Sequence, residues 1–304
     1  MCVASGRVEI VGWVSRRPHV AAKAAHELRL DGLYTGSDLS AAIETTEPDF
    51  VVNVTSPEAH YGVTLEALRA GLPVLGEKPM ADSMDRAREM VAAAERAGKV
   101  YMVRQNRRSN PNLAALRRMI VEHTGTPAIL NSDFYIGAHF GGFRDEMASP
   151  LLLDMAIHTF DAARYLSGCD PLAVYCEEFN PPWSWFRGNA CATAIFEMTD
   201  GLRYTYRESW CGEGCHTSWE GAWRAVGPHG TVTWDGQSAP VAEIVVGSGG
   251  FHSTTEIRSV NHRQMHRAAL PARSMTFSTR LKQVIPPWAS AMTISRAWLW
   301  CSAP

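Results

Sequence analysis

The sequence predicts an α/β protein: a doubly wound parallel sheet followed by an α+β domain with a large, mostly antiparallel sheet. Three observations predict it. The first part of the chain alternates short β-rich runs with helical stretches, which implies parallel strands joined by right-handed crossovers. Beyond residue 108 strict apolar/polar alternation takes over, with few helical stretches among the strands. The 304 residues also exceed what one core ordinarily needs. The expected divisions are 1–108, 109–270 and a tail, 271–304.

The elements follow in order. Residues 8–14 form a β-rich run that ends at Ser15-Arg16-Arg17-Pro18. Residues 20–30 carry apolar side chains at helical spacing. A short strand begins at Leu33-Tyr34, and Ser37 or Asp38 caps a helix around 39–44. Residues 49–55 read as a buried strand. The next helix starts after Ser56-Pro57 and stops at Gly71, with proline at the first turn and glycine at the end. Residues 73–79 form a strand with a polar end, 85–98 a helix closed by Gly98, and 100–106 a further strand. In such sheets ligands bind beyond the carboxyl ends of the strands. Ser15-Arg16, Thr55-Ser56-Pro57, Glu77-Lys78-Pro79 and Gln105-Asn106-Arg107 all fall there. Helices over 112–123 and 151–168 come next, among alternating runs at 128–137, 192–198, 202–210, 223–227 and 230–236.

Composition narrows the functional class. A net charge of −2 argues against a nucleic-acid or polybasic membrane surface. No apolar stretch is long enough to span a bilayer, and the N-terminus lacks the basic-then-apolar order of a signal peptide. The seven cysteines are scattered and odd in number, as in a cytoplasmic protein with reduced thiols. Cys211, Cys215 and His216 resemble half of a metal site whose other half is missing, so no metal is assigned.

One constellation carries chemistry. Glu77-Lys78-Pro79 follows a strand, and Asp154, His158 and Asp161 lie downstream in a DxxxHxxD helix. Asp154 and His158, four apart, share a helix face. Together with residues 51–80, this pattern resembles the Gfo/Idh/MocA family of NAD(P)-dependent oxidoreductases, over residues 8 to 270. The resemblance implies a Rossmann-like domain followed by an α+β substrate domain. It implies His158 as acid/base, Lys78 as the positioning cation beside a developing alkoxide, and Asp154 as the orienting or substrate-binding carboxylate. Ser15, Arg16, Thr55, Pro57, His60, Glu77 and Lys78 are the implied cofactor residues; Asn106, Arg107 and Asp154 face the substrate. Ser15 stands where the family often has an acidic residue. With Arg16 and Arg17 it favours a 2′-phosphate, hence NADP over NAD, unless the arginines are a plain surface loop. The implied substrate is a small sugar- or polyol-like molecule, and the implied assembly is a homo-oligomer through the second-domain sheet.

The chain also departs from the family. The first strand and its glycine-rich turn are missing, so the parallel sheet is expected to be incomplete and the dinucleotide site weakened or lost. In the strand order 3-2-1-4-5-6 the first strand is central. Its absence leaves the strands at Val8 and Val51 either paired directly or with unpaired inner edges. Ala148-Ser149-Pro150 and Ala156 stand where glycines are frequent. The tail from Pro271 has no Asp or Glu but three Trp and four Pro. A reading frame displaced by one base near residue 270 can restore a family-like ending there. Trp183, Trp185, Trp210 and Trp219 either line a sugar site or belong to the core. A non-catalytic remnant acting as a binding or dimerising module is the alternative to the enzyme; a metal-dependent hydrolase lacks an evident ligand triad.

Overall fold

The computed structural model describes residues 8–30 and 32–259. The tail and its displaced-frame reading lie outside them. The chain divides into two compact units between Arg104 and Gln105.

The first unit alternates as expected: β1 (Gly12–Val14), α1 (Pro18–Glu27), β2 (Tyr34–Gly36), α2 (Leu39–Thr46), β3 (Val51–Asn53), α3 (Pro57–Arg69), β4 (Val74–Gly76), α4 (Met84–Ala97) and β5 (Tyr101–Val103). Local chemistry sets the boundaries. Asp38, not Ser37, caps α2 by accepting from the Ala41 amide at 3.0 Å. Pro57 opens α3, and Gly71 and Gly98 take the left-handed backbone after α3 and α4 (φ 76° and 61°). All pairs are parallel, but they form two separate sheets, β1-β2 and β3-β4-β5. Of the two arrangements open to β1 and β3, direct pairing does not occur among the described residues.

The second unit holds α5 (Pro111–Met119), β6 (Ile129–Tyr135), α6 (Phe143–Glu146), α7 (Ala156–Ser167), β7 (Pro171–Phe179), β8 (Cys191–Met198), β9 (Arg203–Ser209), β10 (Ala222–Gly227), β11 (Gly230–Trp234), β12 (Val241–Gly247) and β13 (Thr254–Ser259). The eight strands form one sheet, ordered β13-β12-β11-β10-β6-β9-β8-β7, with only β6 and β9 parallel. Strands β7, β12 and β13 lie outside the runs singled out from the sequence. All six described residues of β13 are exposed, so it offers no buried side to read. Alternation turns Leu130, Phe134, Ala194, Phe196, Tyr204 and Tyr206 inward, where Phe160 of α7 meets Phe196 and Tyr206 at ring separations of 5.1 and 4.8 Å.

The helix expected over 151–168 is broken. A π-helical turn, Leu151–Met155, precedes α7. Asp154 sits on that turn and His158 in the first turn of α7, so the simple i, i+4 spacing of one α-helix does not describe the pair. Such wide turns recur at functional sites.

Candidate functional site

In the first unit the expected cofactor residues cluster at strand ends, held by a buried polar network. Asn53, 1% exposed, ends β3. Its amide nitrogen donates to the His60 carbonyl and the Thr64 hydroxyl, both at 3.1 Å. Its carbonyl oxygen accepts from the Thr55 hydroxyl at 2.7 Å and the Thr55 amide at 3.3 Å. His60 of α3 is buried. Its Nδ1 lies 2.8 Å from the Pro79 carbonyl and its Nε2 2.9 Å from the Thr55 carbonyl. Both partners are backbone carbonyls, and the ring tautomer decides which nitrogen donates. His60 therefore ties the turn after β3 to the turn after β4 and does not present its ring outward.

The Glu77 amide donates to the Asn53 carbonyl at 3.0 Å, which fixes the start of Glu77-Lys78-Pro79. The Lys78 amide donates to the Glu77 carboxylate at 3.3 Å, and the Lys78–Pro79 bond is cis. Glu77 and Lys78 are half-buried, Thr55 is exposed and Pro57 half-buried. At the end of β1, the Ser15 hydroxyl accepts from the Arg17 amide at 3.3 Å, while Arg16 and Arg17 are exposed. Glu58, at the start of α3, has its carboxyl held below the ordinary range by its own backbone amide and the Ser56 hydroxyl; the charges of His60 and Arg16 add to this.

In the second unit Asp154 accepts from Arg144 Nε of α6 at 2.6 Å. The Arg144 guanidinium also covers the rings of Phe140 and Phe143. His158 is half-buried. Asp161, 2% exposed, takes both its bonds from Arg108, at 2.6 and 2.7 Å. Burial disfavours the Arg108 charge, but the hydrogen bond and the charge of Asp161, with a smaller contribution from Tyr165, together raise the guanidinium above its ordinary value. Asp161 is thus a structural anchor of α7.

Asn106 is exposed, whereas Arg107 is buried. It is 5% exposed. Its guanidinium donates to the Trp219 carbonyl at 2.6 Å and the Thr159 hydroxyl at 3.2 Å, and Glu220 lies at 3.6 Å. Burial pushes its value down, and the nearby Glu208 and Glu220 carboxylates push it back up. Internal acceptors thus use donors of the Arg107 guanidinium.

Two residues were missed by the sequence reading. Arg144, the partner of Asp154, stands in a stretch without period. Glu208 is fully buried, and that burial pushes its carboxyl up to about 8 against the opposing pull of Arg107. Alternation with Tyr204 and Tyr206 could have found its inward face. Among the tryptophans, Trp210 is core at 1% exposure, Trp185 stacks on His139 at 3.8 Å, and Trp183 and Trp219 are exposed. Cys211 is buried with its sulfur 3.5 Å from that of Cys191, whereas Cys215 is exposed.

Residues 3–105 match the model of an oxidoreductase family with an NAD-binding Rossmann fold. The chain is 36% identical over 129 residues to a 1,5-anhydro-D-fructose reductase of Ensifer adhaerens, covering 40% of this chain and 39% of that protein. It is 32% identical over 132 residues to an inositol 2-dehydrogenase of Paracoccus denitrificans, covering 42% and 38%. The chain spans about half the length of the curated relatives it matches. An oxidoreductase from Agrobacterium radiobacter, solved with NAD+, L-tartaric acid and magnesium, shares the fold: TM-score 0.79 at 19% identity, over 96% of this chain and 86% of that one. No helix among the described residues is long and apolar enough to cross a membrane.

Proposed function

We propose that this chain, whose residues 3–105 match the Gfo/Idh/MocA oxidoreductase family, transfers a hydride between a nicotinamide cofactor and a secondary alcohol or carbonyl of a sugar, polyol or related metabolite. The observation that carries this reading is the network of Asn53 and His60, which fixes the lysine-bearing turn after β4.

The residues present fit both ends of a dinucleotide. Ser15 with the exposed Arg16 and Arg17 suits a 2′-phosphate, which favours NADP over NAD. By the family resemblance, Thr55 and Pro57 would line the cofactor, and Glu77 and Lys78 would hold its nicotinamide end. His60 acts through the two carbonyls it holds. No glycine-rich strand–turn–helix is found among the described residues, so the pyrophosphate lacks its usual backbone cradle there. When bound, the nicotinamide supplies the hydride acceptor or donor. The chain's own groups handle the proton and charge. His158 takes the hydroxyl proton, and the Lys78 ammonium steadies the oxygen as it becomes anionic. Asp154, held by Arg144, orients a substrate hydroxyl together with Asn106. Arg107 supports this surface from beneath, through Thr159.

The test is NADPH and NADH fluorescence titration, followed by turnover of myo-inositol and related polyols. His158→Asn is expected to lower kcat by about 10²–10⁴-fold with cofactor affinity retained. Lys78→Met is expected to lower it too, with the double variant less than additive if both groups serve one proton transfer. Failure to bind cofactor at millimolar concentration removes the enzyme reading. A second reading, a non-catalytic binding or dimerising module, is favoured by the interrupted parallel sheet.

A homo-oligomer through the second-unit sheet fits the exposed face bearing Ile129, Tyr135, Tyr175 and Ile195. A cytoplasmic setting would keep Cys191 and Cys211 reduced.

A further inference from the structure

Beneath the first turn of α7 the second unit hides a cluster of polar groups. Alternation along β9 turns Tyr204, Tyr206 and Glu208 inward, and all three are buried. Glu208 stands opposite Phe134 of β6 in the ladder. The Arg107 guanidinium lies 6.0 Å from the centre of that Phe134 ring, so the acid and the guanidinium share one side of the sheet.

Arg107 grips the residue that follows each member of the Asp154–His158 pair. Its Nη1 donates to the Thr159 hydroxyl at 3.2 Å, and its Nη2 lies 4.0 Å from the Met155 sulfur. Met155 and Thr159 are buried, whereas Asp154 and His158 are half-buried. Successive helical residues are turned by about 100°, so holding the inner pair sets how the outer pair is presented. The same Nη2 donates to the Trp219 carbonyl at 2.6 Å, which joins α7 to the turn before β10. Arg108, the next residue of the short turn Asn106–Ser109, holds α7 one step further along, through Asp161.

Arg108 has a full partner in Asp161, but Arg107 faces two acids. Glu220 lies at 3.6 Å and is partly open to solvent; Glu208 is buried. One guanidinium cannot neutralise both. Asp133 of β6 adds a further negative charge and is itself paired with Arg207 at 2.8 Å. Burial pushes the Glu208 carboxyl up to about 8, against the pull of Arg107 and of the Thr159 and Tyr206 hydroxyls. Thr159 thus serves both partners: its oxygen accepts from Arg107, and its proton is available to Glu208. The Tyr204 hydroxyl is engaged with Ser132 at 2.7 Å.

We propose that Arg107 and Glu208 are a pair of positioning residues for His158: the guanidinium holds Met155 and Thr159, and the Glu208 carboxyl, acting through the Thr159 hydroxyl, governs the strength of that hold. While Glu208 carries its proton, Arg107 is left to Thr159 and Trp219. On ionising, Glu208 draws the guanidinium and the Thr159 proton toward itself, and the first turn of α7 follows. The setting of His158 therefore changes as pH passes through about 8. The kinetic consequence rests on the redox reading; the coupling of Glu208 to His158 does not.

His158 itself gives the readout. Histidine labelled with carbon-13 is observed by NMR in the full chain without cofactor, and the His158 signal is assigned by its loss in His158→Asn. Beyond the inflection of the imidazole itself, the wild-type signal is expected to show a second inflection near pH 8 that vanishes in Glu208→Gln. Gln matches the shape of the protonated acid and does not titrate. Glu208→Asp is the second variant: it keeps a titrating carboxyl at shorter reach, so the inflection is expected to move. In turnover, Arg107→Lys keeps the charge but not the fork, and is expected to lower kcat about ten- to a hundredfold with cofactor affinity retained. Three outcomes overturn the proposal: a His158 titration identical in wild type and Glu208→Gln, an inflection left at the wild-type pH in Glu208→Asp, or a wild-type kcat in Arg107→Lys. Absence of turnover in the wild type removes the redox reading alone, and the His158 signal then decides the proposal by itself.

Discussion

The two units reach stability by opposite routes. The second closes eight strands into one sheet and buries aromatic residues against α7; Phe160, Phe196, Tyr206 and Trp210 are all at or below 2% exposure. The first is built from three-residue strands in two sheets, and alanines fill much of its helical interior: Ala21, Ala25, Ala42, Ala67, Ala87 and Ala94. Burial stabilises by about 25 cal/mol per Å², so small side chains over short strands yield little. The difference teaches that the chemistry-bearing turns of the first unit do not rest on a large apolar core. They rest on a few buried polar groups, Asn53 and His60 above all.

The sharpest break in this comparison is a cavity in the second unit. Phe160→Ala is expected to cost about 3–5 kcal/mol, because the ring is enclosed between α7 and the sheet. Urea unfolding followed by tryptophan fluorescence checks it, since Trp183, Trp185, Trp210, Trp219, Trp223 and Trp234 all lie in this unit. Helix α7 also carries His158, so the same variant tests whether the acid/base candidate depends on that core.

How much of this was legible follows from what each signal measures. The strand–helix alternation and the alternating runs of β8 to β11 were legible because period reports which side of an element is buried. The gap between β1 and β3 was legible because the expected strand order puts between them a strand not found among the described residues. The roles of His60 and Arg107 were not. A histidine in a motif looks the same whether it points at a ligand or at two carbonyls, and only coordinates tell the two apart. The π-helical turn at Asp154 was hidden for a different reason: its sequence has ordinary helical spacing, which does not distinguish an α-turn from a π-turn.

The next largest effect is a pH dependence inside the second unit. Burial holds the Glu208 carboxyl at about 8, above its ordinary value near 4.3. Between those values the folded protein binds one proton more than the unfolded chain. This contribution to stability is therefore complete below about pH 4.3 and is lost as pH rises through about 8. Relative to Glu208→Gln, which does not titrate, the wild type is expected to lose up to about 1.4 kcal/mol per pH unit across that window. Parallel curves for the two proteins from pH 5 to 8 would mean that Glu208 is ionised and that Arg107 neutralises it in full.

The smallest effect is the most informative about the first unit. Val52 is an aliphatic residue on a strand that a complete doubly wound sheet would bury, yet it is 46% exposed. Val52→Thr keeps the β-branched shape, so strand propensity is preserved and only the methyl-for-hydroxyl exchange is felt. On an open face the hydroxyl stays in water, and the change is expected to stay within about 0.5 kcal/mol. Beneath a docked helix the same hydroxyl would lose its water without a partner, at about 1–3 kcal/mol. Thermal unfolding of the variant therefore reads the cover on this face directly. A near-silent change means that the Val52 side chain stays in water. A change already costly in the isolated chain means the face is covered and the two units are less different than their strands imply.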